Sequence, residues 1–229
     1  MSLAKKITWL TLFSIAMGFM ETVVVVYLRK LYYPDGFSFP LVSMDSTILA
    51  VEFLREAATL IMLLAIGILA GKTASQKFAF FIFCFAIWDL FYYVFLKVVL
   101  DWPESFFTWD ILFLIPVPWV GPVIAPCIVS LTMIFLTISI VYFAEKGLNT
   151  KLKNKEWLLF ICGSLIVIFS FSSDYFKYIS FSDKKIINRF TPVNFNWLLF
   201  CTGELLIIFQ IGLYLKRIKN ENESVNKNT

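Results

Sequence analysis

Residues 47–70 read TILAVEFLREAATLIMLLAIGILA. A helix of this length rises about 36 Å, enough to cross roughly 30 Å of hydrocarbon. Its charges are not scattered. Glu52, Arg55, Glu56 and Thr59 follow the i, i+3, i+4, i+7 spacing, so one face presents two carboxyls, a guanidinium and a hydroxyl. Such a face cannot point at lipid, so this helix must border a polar interior.

Working outward, apolar runs recur at about 7–28, 78–100, 122–143, 157–173 and 195–215. The chain is 59% hydrophobic and 16% charged, against roughly 45–50% and about 25% in soluble domains. The expected fold is all-α, a polytopic integral membrane protein with about six transmembrane helices. Residues 1–219 form a single transmembrane domain, and 220–229, rich in Asn, Glu and Lys, are expected as a disordered cytoplasmic tail. The first run follows Lys5 and Lys6 like a signal peptide. It is too long for one, contains Glu21 and lacks a small-x-small cleavage site, so it is expected to be retained.

Orientation follows from lysine and arginine. Twelve of them (Lys5, Lys6, Lys72, Lys77, Lys146, Lys151, Lys153, Lys155, Lys216, Arg217, Lys219 and Lys227) alternate with poorer loops and outer helix edges that carry seven (Arg29, Lys30, Lys97, Lys177, Lys184, Lys185 and Arg189). Both termini are therefore expected in the cytoplasm, and the bacterial inner membrane is the expected location. The net charge of +4 is accounted for by these loops, with no nucleic-acid partner implied.

The segment 106–126, FFTWDILFLIPVPWVGPVIAP, breaks the pattern. Residues 106–115 are apolar but too short to span, while Pro116, Pro118 and Pro122 forbid a continuous helix into the fourth span. A short re-entrant or interfacial helix near 106–115 is expected, with the proline-rich stretch lining a pocket.

Two absences narrow the chemistry. With no histidine, haem held by histidine, histidine-bound metal and histidine-assisted nucleophiles are excluded. The four cysteines lie singly within apolar runs, without a C-x-x-C pair, and read as small hydrophobes.

The site candidates are carboxylates. Glu21, Glu52, Glu56, Asp89 and Glu204 come from four spans, yet a 1.5 Å rise places them all roughly 7–17 Å below the outer helix ends. Polar neighbours extend the stripes: Arg55 and Thr59, Tyr92 and Tyr93, and Asp110 in the irregular segment. Gly18, one turn before Glu21, allows a neighbouring backbone to approach. Asp45 is placed to cap the second span. The expectation is one outer-facing acidic cavity that binds a cation or cationic solute, as in a small transporter.

Five carboxyls against one Arg55 would not stay ionised together in low dielectric without protons or a cation. An oxygen-preferring divalent ion (Mg²⁺, Mn²⁺ or Ca²⁺) on Glu52, Glu56, Asp89 and Glu204 would meet that need. One alternative is a metal-dependent membrane enzyme acting on a lipid or isoprenoid, with Arg55 holding phosphate. Another is a non-catalytic subunit or assembly factor, whose charges tie helices to one another or to a protein partner. The bilayer is a partner in each case, with a small cationic or lipid ligand in the first two.

Overall fold

A computed structural model describes residues 2–114, 117–181 and 191–227. The chain is a polytopic α-helical membrane protein. Among the described residues its six long helices are α1 (Leu3–Tyr32), α2 (Ser46–Ala70), α3 (Ala74–Leu100), α4 (Ile124–Glu145), α5 (Asn154–Phe181) and α6 (Trp197–Lys227). Each is long and apolar enough to cross a membrane. Between α3 and α4 lie two strands, β1 (Trp109–Phe113) and β2 (Trp119–Pro122).

The most buried helix is α3, packed against α1, α2 and α4. Helices α5 and α6 form a second pair, joined to the rest through α4 and β2. The stripe of α1 that turns inward is Leu10, Ser14, Gly18, Thr22 and Arg29. A Cβ on Gly18 would come within 2.9 Å of the Trp88 carbonyl, so only glycine allows this approach. Gly203 plays the same part between α5 and α6, where an added Cβ would stand 2.9 Å from the Gly163 carbonyl.

Successive helices alternate in direction. Lys6 of α1 donates to the Ala70 carbonyl at the end of α2, and Ser75 of α3 accepts from the Leu152 backbone just before α5. Arg217 of α6 closes the same end on Glu156 at 2.7 Å. The beginning of α1 and the end of α6 therefore share one end of the bundle, and the hairpin occupies the other.

Three sequence expectations are corrected here. The segment expected as a short helix near 106–115 instead holds β1, paired antiparallel with β2 in the register Asp110 to Gly121 and Ile111 to Val120. A ten-residue apolar run is ambiguous between helix and strand, and a second strand that satisfies its backbone decides the matter. Positions 115 and 116, including Pro116, lie outside the described residues.

Second, α6 continues to Lys227, well into the stretch expected as a disordered tail. Glu221 links it to Arg217 at 3.1 Å and to Lys153 at 3.0 Å, supplying contacts a free tail would lack. Third, α5 runs to Phe181 rather than ending near 173. Of the basic residues expected in the following loop, Lys184, Lys185 and Arg189 lie outside the described residues.

Candidate functional site

The inward stripe of α2 is Glu52, Glu56, Thr59, Leu63 and Gly67, which confirms the polar face read from the spacing. Asp45 starts this helix, accepting from the Thr47 amide at 2.9 Å and the Ile48 amide at 3.4 Å. These bonds hold its carboxyl below the usual carboxylate range.

Arg55 is the hub of the face. Its Nε donates to Glu52 at 2.8 Å, its Nη1 pairs with Glu21 of α1, and Nη2 stands 4.0 Å from Glu56. Helix α1 makes few other contacts with α2, so the ion pair is a principal tie between them. Glu56 turns away from Arg55 to the hairpin, where both of its oxygens accept from the Leu114 backbone N–H.

A second ion pair joins α1 to the hairpin. Arg29 donates to Asp110 at 3.1 Å, and both side chains are buried. Its guanidinium lies 3.8 Å from the Trp102 ring centroid and 4.6 Å from that of Phe37, within cation–π range of each. The Tyr92 hydroxyl donates to the other Asp110 oxygen at 3.4 Å, and Tyr92 packs edge-on against Tyr93 at 4.9 Å.

These groups surround a cavity of about 700 Å³ at the hairpin end of the bundle. Glu21, Glu52, Glu56, Asp89 and Asp110 line it together with Arg29, Arg55, Tyr92 and Tyr93. Five carboxyls thus face two guanidiniums. The volume lies within the range of small-molecule sites, roughly 300–1,000 Å³. Much of the remaining wall is apolar or aromatic, including Phe37, Leu49, Phe53 and Trp88.

Two candidates lie elsewhere. Thr59 is buried on the same α2 stripe, below the cavity. Glu204 borders a separate apolar cavity of about 340 Å³ between α3, the hairpin, α4, α5 and α6. There it accepts from Thr132 at 2.9 Å, and its other oxygen is buried without a partner among the described residues. The direction in which Glu204 faces was not legible from the spacing within α6. Asp89, which accepts from Ser130 at 2.8 Å, borders both cavities.

The four carboxyls considered for a divalent ion are therefore divided between two cavities. Among the described residues, no three cysteine, aspartate or glutamate side chains converge closely enough to hold a metal ion.

Sequence reading missed Arg29, assigned there to the outer helix edge. The signal was present: 18, 22 and 29 continue one α1 stripe, which places Arg29 on the face of Gly18 and Thr22. The contribution of the Leu114 backbone carried no such signal, because it depends on how the hairpin is tucked in. Compared with protein-family models, curated proteins and solved structures, the chain matches none of them.

Proposed function

We propose that this protein binds a cationic solute in the cavity between α1, α2, α3 and the hairpin, as a small transporter does. The observation that carries the reading is the charge on the cavity wall. Five carboxyls against two guanidiniums leave a formal excess of three negative charges. Acidic groups at membrane depth are costly unless they pair, titrate or bind something. A ligand cation would repay part of that cost on binding, and the buried rings of Trp88, Tyr92 and Tyr93 beside the carboxyls suit an organic ammonium better than a bare ion.

In this reading the positive-inside pattern places both termini in the cytoplasm, so the cavity opens on the outer side of a bacterial inner membrane. The hairpin then acts as a re-entrant element, and its Glu56 and Arg29 ties hold the cavity floor in place.

The test is thermal unfolding of the purified full-length protein in phosphatidylcholine nanodiscs. Ethylamine is added in solution and, separately, octadecylamine is mixed into the lipid. At least one amine is expected to raise Tm saturably, as a ligand specific for the folded state must. The shift is expected to vanish in Glu52→Gln/Glu56→Gln. Absence of a saturable shift with both amines would overturn the reading.

A further inference from the structure

The acidic wall of the cavity and its apolar rim lie on the same helix face. Leu49, Glu52, Phe53 and Glu56 follow the i, i+3, i+4, i+7 spacing of α2, and all four line the cavity. Glu52 and Glu56 are buried, whereas Leu49 and Phe53 keep 46% and 45% of their surface exposed. Val42, in the connection before α2, lines the same cavity and is 45% exposed. The rim is therefore open where it is apolar and closed where it is acidic.

Neighbouring elements set the direction of that opening. Helix α2 packs on α3 and lightly on α1, and its remaining surface carries exposed Val51, Leu54 and Ile61. Leu114 and Pro118 of the hairpin segment and Tyr175 of α5 also line the cavity. Among the described residues, α2 and α5 do not pack on each other as a helix pair. In a spanning helix, exposed leucine and phenylalanine side chains face acyl chains, so the rim of the cavity at Leu49 and Phe53 faces lipid.

Building on the cation-binding reading, we infer that the ligand enters sideways from the bilayer and is an amphiphile: an ammonium group carried on a hydrocarbon chain. The ammonium sits at Glu52 and Glu56, one turn deeper than the chain, which leaves over Leu49 and Phe53 into the lipid. A free long-chain amine and an ethanolamine lipid head group share this chemistry.

The experiment uses full-length protein in phosphatidylcholine nanodiscs, with Tm as the readout. Wild type and Leu49→Gln/Phe53→Gln are titrated with octadecylamine in the lipid and ethylamine in solution. Both substituted positions are exposed, and an unchanged ethylamine response certifies that the variant is folded. In wild type, octadecylamine is expected to saturate at a few mole per cent and to suppress the ethylamine shift. The rim variant is expected to need at least fivefold more octadecylamine, with its ethylamine response within twofold of wild type.

If ethylamine binds and octadecylamine neither shifts Tm nor competes, the lateral route is wrong and the cation reading stands. The same holds if the rim variant leaves both responses unchanged. If neither amine binds, both readings fall. Replacing part of the phosphatidylcholine by phosphatidylethanolamine separates the two sources. Suppression of the octadecylamine response identifies a lipid head group as the ligand, and an unaltered response identifies a free amine.

Discussion

The backbone N–H of Leu114 donates to both carboxyl oxygens of Glu56, at 3.0 and 2.9 Å, although the two residues are 58 positions apart. Glu56 lies ten residues into α2, about 15 Å from its start at 1.5 Å per residue. The end of β1 therefore reaches well into the bundle, and one side chain serves both the cavity wall and the seat of the hairpin.

Truncation of that side chain orphans a buried amide. Glu56→Ala is expected to cost about 1–3 kcal/mol, whereas Glu56→Gln keeps an acceptor and costs less. Reversible unfolding of the two variants checks this. Equal losses would show that the Leu114 bond contributes nothing measurable.

Arg55 holds α1 and α2 together through Glu21 and Glu52. Arg55→Leu leaves those carboxyls unpaired in a partly buried setting, with an expected loss of about 3 kcal/mol. Adding Glu21→Gln should recover part of it, giving a coupling of about 1 kcal/mol in a double-mutant cycle. Strict additivity would remove the interhelical role assigned to the pair.

At the other tie, Arg29 is both paired with Asp110 and sandwiched near Trp102 and Phe37. Lysine keeps the charge but not the planar stack. Arg29→Lys is expected to lose about 2 kcal/mol and to speed amide exchange across 109–122. Unchanged exchange in the hairpin would rule out its role as a latch.

Glu204 offers a negative control within the membrane. It lines the apolar cavity behind the hairpin, separate from the acidic one. Glu204→Gln retains an oxygen for Thr132, so amine-induced shifts in Tm are expected to stay within twofold of wild type. A loss as large as that in Glu52→Gln/Glu56→Gln would mean that the two cavities act as one.

Acid should loosen the start of α2. The bonds from Thr47 and Ile48 hold the folded Asp45 carboxyl below its ordinary value, so its contribution is complete at neutral pH. It is lost as pH falls from the usual carboxylate range, near 4, through the depressed folded value. Amide exchange at Thr47 and Ile48, corrected for its intrinsic pH dependence, should accelerate there. Asp45→Asn keeps the cap and should abolish the acceleration; its persistence would assign the effect to another group.

Local pattern was enough for the helices and for much of the site. The six spans, the cap at Asp45 and the inward face of α2 follow from hydropathy and a 3.6-residue period, both properties of neighbouring residues. The close approach at Gly18 was legible for the same reason, and Glu21, Glu52, Glu56 and Asp89 line one cavity. Tertiary structure decided what depends on partners distant in sequence. Residues 109–113 are a strand because residues 119–122 complete their hydrogen bonds. Arg29 and Asp110 meet because the hairpin folds back on α1, and Glu204 is set apart because α6 pairs with α5 and turns toward Thr132. Residue spacing fixes how deep a side chain lies and which face of its own helix it occupies; only the packing of helices against one another fixes which cavity that face meets.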